Sequence, residues 1–296
     1  MVIGLALFAA LLLTSAELWT RVQRLTDYIR YQPDNDVGYL PQPLASGKFR
    51  NRNRWRINPI GLRSDCDDPP LPEDIVILGD SIVEGGSTTD QDQTLGYQLA
   101  TLTSRRVHPA CAGGWSLPNA LAFMRKHWEL NNAGTIVMVV NSGDLCPLNP
   151  WSSQSTHPTR RPTVHLAYLI RRYSWPWRWR AQQWLRRWRG SGTNAEKSPD
   201  SDWAAPVAAF LRDTGARVIC VLYPDRTETE QQSLPCAALR PVIGERAQLV
   251  EILDAAGWGR DCYADALHPN AGGRRLLAQT IARAILQPES HKAAGG

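Results

Sequence analysis

The stretch that decides the fold is IVILGDSIVEGGST, residues 75–88. Ile75-Val76-Ile77-Leu78 is a short, mostly β-branched apolar run, the composition of a strand buried on both faces. It stops abruptly at Gly79-Asp80-Ser81. A polar pair at the end of a buried strand has three readings: a reactive serine on a strand-to-loop corner, a phosphate loop, or a turn. The phosphate loop requires GxxxxGK[ST], and no lysine stands at the required place. The dinucleotide fingerprint GxGxxG is absent as well. The choice between nucleophile and turn falls to the rest of the chain.

Working outward, strand and helix patterns alternate from residue 74 onward. TLGYQLATLTS (94–104) has helical spacing, and RRVHPAC (105–111) reads as a second strand. SLPNALAFMRKHWEL (116–130) is a helix with Ser116 at its N-cap and Pro118 in its first turn. TIVMVVNSGD (135–144) is a β-branched run ending in polar residues. A helical region follows around 163–189, then the linker GSGTNAEKSPDSD. WAAPVAAFLRDTGA (203–216) is a helix stopped at Gly215, and RVICVLYP (217–224) is a strand. RPVIGERAQLVEILDAAG (240–257) and AGGRRLLAQTIARAILQ (271–287) are read as helices. Alternation of this kind implies parallel strands with right-handed crossovers, a three-layer α/β/α sandwich. GDS, AGGW and NSGD each follow a strand, so they fall on one rim, where open α/β sheets bind ligands.

The far end of the chain supplies partners. In YADALHPNAGG (263–273), Asp265 precedes His268 by three residues on one short loop. A carboxylate can hold one imidazole nitrogen while the other faces a serine. Only the fold brings that loop to Ser81.

On these residues the chain resembles the SGNH, or GDSL-type, hydrolase superfamily over roughly residues 74–288. LGDSIVEGGS matches the first block, whose serine is the nucleophile, here Ser81. CAGGWSLPNA matches the second, whose glycine lends an N–H to the oxyanion hole, here Gly114. DALHPNAGG matches the last, giving Asp265 and His268. The third block departs: the family shows Gly-x-Asn-Asp, and this chain reads Asn141-Ser142-Gly143-Asp144. The asparagine normally supplies an oxyanion donor, so either Asn141 reaches the site, or the Gly143 N–H substitutes, or both merely shape the turn. Losing such a donor costs about 2.7–4 kcal/mol. The resemblance implies a parallel, flavodoxin-like five-stranded sheet and an esterase acting through an acyl-serine. Ser81 N–H joins Gly114 in the oxyanion hole, Asp80 supports the corner, and neither cofactor nor metal takes part. The expected substrate is a small ester or an acylated carbohydrate, with O-acetyl on a surface polymer foremost. An O-acyltransferase on exopolysaccharide and a degenerate carbohydrate-binding domain are the alternatives.

Composition bounds the rest. The 296 residues suit one large domain or two small ones, and 43% are hydrophobic. Lysine and arginine exceed aspartate and glutamate by 33 to 28, a net charge of +5. Much of the excess sits in RRYSWPWRWRAQQWLRRWRG (171–190), so no nucleic-acid partner is read. Tryptophans and arginines interleave over 173–189, which would suit anionic lipid, sugar stacking or a packed cap helix. Six cysteines without a CxxC pair argue against a zinc ribbon; their even number would suit disulfides in an exported domain, and Cys220 reads as a core residue.

The stretch from Val2 to Ala16 is almost wholly apolar and reaches spanning length when extended through Trp19. It is either a signal segment cut near Thr14-Ser15-Ala16 or, the reading preferred, an uncleaved anchor. Arg21, Arg24 and Arg30 follow it, which by the positive-inside rule favours a cytoplasmic domain. Long domains translocate regardless of such charges, and an extracytoplasmic, periplasmic domain is expected. The organisation expected is an anchor or signal at 1–20, an extended lead-in at 21–73 with a hairpin near GKFRNRNRWRIN, the hydrolase domain at 74–288, and a disordered tail at 289–296.

Overall fold

The computed structural model describes residues 2–174 and 203–287. The linker at 190–202, the tail at 289–296 and all of the Trp/Arg segment beyond residue 174 lie outside the described residues. The opening helix α1, Val2–Val22, has a mean hydropathy of 2.0 over its best window and none of that window is buried. It is long and apolar enough to cross a membrane, a property that signal sequences share.

Two antiparallel hairpins follow. The first pairs β1 (Tyr31–Asp34) with β2 (Gly38–Pro41), and the second pairs β3 (Ser46–Phe49) with β4 (Asn53–Arg56). The second is the expected one. Arg50 and Asn51 close it in left-handed backbone, at φ +52° and +53°.

The main sheet begins with β5 (Ile75–Gly79). The chain then runs through α2 (Ser81–Glu84), α3 (Leu95–Thr103), β6 (Val107–Cys111), α4 (Leu117–Lys126) and β7 (Thr135–Val140). A helix α5 is described over 165–174. Then come α6 (Ala204–Asp213), β8 (Arg217–Leu222), α7 (Arg226–Gln231), α8 (Arg240–Ile243), β9 (Gln248–Glu251) and α9 (Ala271–Leu286). The five strands run in the order β6-β5-β7-β8-β9, and every pair is parallel. The expected five-stranded parallel sheet is present.

Strand alternation sorts β5 between two cores. Val76 and Leu78 join the core that contains α4, α6 and the hairpins. Ile75 and Ile77 join the core beneath α3 and α9. Both faces are covered, which is why the strand reads as an unbroken apolar run. The chain leaves β5 for β6 on one side and later returns to β7 on the other. This reversal opens a crevice beyond the carboxyl end of β5, where Ser81 stands.

Two expectations change. The helix read over 240–257 is instead the one-turn α8 followed by the edge strand β9. Gly244, at φ +53°, ends the helix, and Gln248–Glu251 then pairs with β8. The segment 21–73 is no loose lead-in: Ile29, Tyr39, Trp55 and Leu62 are buried in one cluster with Val76 of the sheet. The six cysteines are all free, with Cys111, Cys220 and Cys236 buried.

Candidate active site

Ser81 opens α2, directly after β5. Asp80 caps this single turn, its Oδ1 accepting the Ile82 N–H at 2.9 Å. Gly85 ends the turn at φ +76°. The serine is thus held on a tight corner with its side chain at the crevice.

The 263–273 loop meets it there. Ser81 Oγ lies 2.8 Å from His268 Nε2. The other ring nitrogen, Nδ1, lies 2.9 Å from Asp265 Oδ2. Asp265 Oδ1 also accepts the N–H groups of Leu267 and His268, each at 2.8 Å. Burial pushes the Asp265 carboxyl up, but these N–H bonds and the His268 ring bring it below the ordinary aspartate value. It therefore stays ionised, which places the imidazole proton on Nδ1 and leaves Nε2 to accept the serine proton.

The loop is itself pinned. Ala264 N–H bonds His268 O, and Asn270 N–H bonds Cys262 O, both at 2.8 Å. Asn270 then caps α9, accepting the Gly273 N–H at 3.0 Å.

Gly113 and Gly114 follow β6. Gly114 has φ +77°, a conformation that excludes most side chains. The Gly113 carbonyl accepts the Tyr39 hydroxyl at 2.8 Å and lies 2.7 Å from His157 Nε2. That carbonyl and the Gly114 N–H belong to one peptide plane, so both bonds fix where the N–H points. Among the described residues, neither the Gly114 nor the Ser81 backbone N–H has a protein acceptor.

Asn141 and Gly143 are placed differently. Asn141 Nδ2 donates to Asp144 Oδ2 at 2.8 Å and to Asp80 Oδ2 at 3.3 Å. Its Oδ1 accepts the Gly143 N–H at 2.8 Å. Both donors expected for the altered block are thus engaged: the Gly143 N–H within the turn after β7, and Asn141 Nδ2 on Asp144 and on Asp80, whose Oδ2 lies 3.4 Å from Ser81 Oγ. Burial lifts the Asp144 carboxyl far above its usual range, and the Asp80 charge adds to this.

Sequence reasoning missed Glu84, which is buried one helical turn after Ser81. Its carboxylate accepts the Tyr31 hydroxyl at 2.9 and 3.0 Å. Burial raises its pKa to about 7, against the opposing pull of Arg63. Arg63 is itself buried and donates to the carbonyls of Glu84, Gly86 and Thr89 at 2.6–2.7 Å. The available signal was a lone charge inside the otherwise apolar IVEGG.

Ser81, His268, Gly113 and Gly114 open onto a cavity of about 890 Å³, whose wall includes Tyr28, Arg172 and Tyr173. No family model matches this chain, and no curated protein does. Solved structures similar to it include an esterase, a carbohydrate esterase and a lipase. One is the psychrotrophic esterase EstA of Pseudoalteromonas sp., 15% identical over 72% of this chain and 97% of that one, with a TM-score of 0.40. Another is a carbohydrate esterase family 2 enzyme with its carbohydrate-binding domain, from Corynascus thermopiles; it is 15% identical over 74% and 67% of the two chains, with a TM-score of 0.43. A third is a GDSL-like lipase of Bacteroides thetaiotaomicron, 12% identical over 74% and 91%, with a TM-score of 0.42. These likenesses are distant ones.

Proposed function

We propose that the protein is a serine ester hydrolase that removes an acyl group, foremost an O-acetyl group on a carbohydrate or surface polymer. The observation that carries this reading is the chain of hydrogen bonds from Ser81 Oγ through His268 to Asp265, at 2.8 and 2.9 Å, opening onto a cavity. Ser81 Oγ attacks the ester carbonyl as His268 Nε2 takes its proton. The imidazolium, held by Asp265, then returns that proton to the leaving alcohol as the acyl-serine forms. Water, deprotonated by the same nitrogen, attacks the acyl carbonyl, and the imidazolium returns the proton to Ser81 Oγ as the acyl–oxygen bond breaks and the acid leaves. The N–H groups of Ser81 and Gly114 hold the oxyanion. Asn141 and Gly143 are left out of this role because their donors are already bonded.

A cavity of about 890 Å³ far exceeds what an acetyl group fills, which favours a bulky alcohol component. Discharge of the same acyl-serine to a second sugar hydroxyl would make the protein an O-acyltransferase. Free acetate without an acceptor supports hydrolysis, and acceptor-dependent transfer supports the transferase. The helix α1 would anchor the domain on the extracytoplasmic side.

The decisive experiment is covalent labelling with a fluorophosphonate, read by intact mass. One adduct is expected on the wild type, none on Ser81→Ala, and a rate lower by about 10³-fold or more on His268→Ala. Absence of an adduct on folded wild-type protein would sink the reading.

A further inference from the structure

One wall of the cavity is built from two segments that are both fastened to the foot of α1. Tyr28 and Ile29 follow α1 within a few residues, and Arg172 and Tyr173 lie on α5. Glu17, near the end of α1, accepts the N–H groups of His165 and Leu166 at 2.9 and 2.7 Å. These are donors at the start of α5, which have no partner within their own helix. Arg21 joins Glu17 at 2.7 Å and the Thr163 carbonyl at 2.5 Å. Below this tie, Thr26 Oγ1 meets His165 Nδ1 at 2.6 Å and the Tyr28 hydroxyl meets that of Tyr173 at 3.2 Å. The Arg172 guanidinium lies 4.2 Å over the Tyr28 ring.

The outer surface of this assembly is apolar. Along α1, Val2, Phe8, Leu11 and Trp19 are 78%, 60%, 64% and 59% exposed. From Val2 to Trp19 the helix rises about 27 Å, close to a hydrocarbon core of about 30 Å, with Glu17 and Arg21 at the interface. Through Ser15 the helix is apolar on every face and uncovered by its own protein, which fits lipid, whereas a groove on one partner would cover a single stripe. The apolar surface continues through Val164, just before α5, and through Ile170 and Tyr173 on it, at 54%, 62% and 59% exposure. Arg160 and Arg171, both exposed, flank it with charge suited to anionic headgroups.

We infer that α5 lies on the bilayer surface beside the foot of a membrane-spanning α1, so that the cavity opens at the headgroup layer. Glu17 sits within about 8 Å, along the helix axis, of the end of α1, and it fixes the height of α5. The acyl ester that reaches Ser81 is then one presented at the membrane surface. This last clause rests on the proposed hydrolase reading; the docking of α5 does not.

The test is photo-crosslinking of the full chain in vesicles containing phosphatidylethanolamine and phosphatidylglycerol. Benzoylphenylalanine is placed at Leu12, Ile170, Tyr173 or Leu286, and lipid adducts are read by mass. Leu286, 56% exposed, lies at the opposite end of α9 from the His268 loop, about 22 Å along the helix. Adducts are expected at positions 12, 170 and 173 and not at 286. Glu17→Gln is expected to lower the yield at 170 several-fold and to spare position 12. Adducts at 12 alone would overturn the docking of α5. Protein–protein adducts at 170 would replace lipid by a second copy, and absence of adducts at 12 would remove the membrane altogether. Fluorophosphonate labelling of the same samples reports on Ser81 separately, so failure of the hydrolase reading is distinguished from failure of this one.

Discussion

At the scale of the residue, Glu84 is the least expected member of the site. Its carboxyl is buried with the Tyr31 hydroxyl as donor, and its pKa rises from 4.5 to about 7. Between those values the folded protein keeps a proton that the unfolded chain releases. Stability is therefore greatest below pH 4.5, as far as this group is concerned, and falls as pH rises toward 7. The loss is about 3 kcal/mol across the window. Glu84→Gln keeps the shape and removes the titration. Its melting temperature relative to wild type should rise from pH 5 to about pH 7 and level off above it. A constant difference would show that Glu84 does not titrate in that range. Asp265 and His268, which the structure brings to Ser81, stood out in the sequence because their spacing is local, and Ser81 because a polar pair ends a buried strand. Glu84, Tyr39 and His157 were not. Their partners are backbone groups or side chains far away in sequence, and such pairings leave no periodic trace.

At the scale of the element, the helix α9 and the loop before it form one device. A methyl group added at Gly273 would lie 2.2 Å from the Cys262 carbonyl oxygen, closer than any real contact allows. Backbone meets backbone there, so neither side can swing away. Gly273→Ala should cost about 1–3 kcal/mol and should slow fluorophosphonate labelling, because the displaced loop carries Asp265 and His268. A urea midpoint equal to that of wild type would refute the close approach. The strand β9 marks where element-level reading failed. Leu249 and Val250 sit among charged and polar neighbours in a pattern that also fits a helix, and only pairing with β8 distinguishes the two. The hairpin β3–β4 was legible from its turn, whereas β1–β2 has alternation too short to register. The parallel strands β5, β7 and β8 were the easiest, since burial on both faces leaves runs of uninterrupted apolar residues.

At the scale of the whole molecule, the segment between α1 and β5 belongs to the fold. Trp55 and Leu62 are fully buried, and Tyr31 and Tyr39 nearly so, all in the core that backs the sheet. A chain beginning at Asp74 loses those side chains together with the Tyr39 bond to Gly113 and the Arg63 bonds beneath Glu84. It should fail to reach a cooperative fold, seen as the absence of a sharp thermal transition by circular dichroism. A truncated chain that melts like the full one would show that the segment is dispensable. The sequence hid this role because the segment is rich in proline, glycine and asparagine, and its buried aromatics are spaced irregularly.

The pairing of Ser81 with His268 spans 187 residues, and this separation orders events during synthesis. At about 5–20 residues per second, roughly ten to forty seconds pass between the polymerisation of the serine and that of the histidine. Throughout that interval the hydroxyl is an ordinary alcohol without a base. On the proposed hydrolase reading, its reactivity would begin only after the last helix has been made and docked, and the nascent chain would carry no working nucleophile.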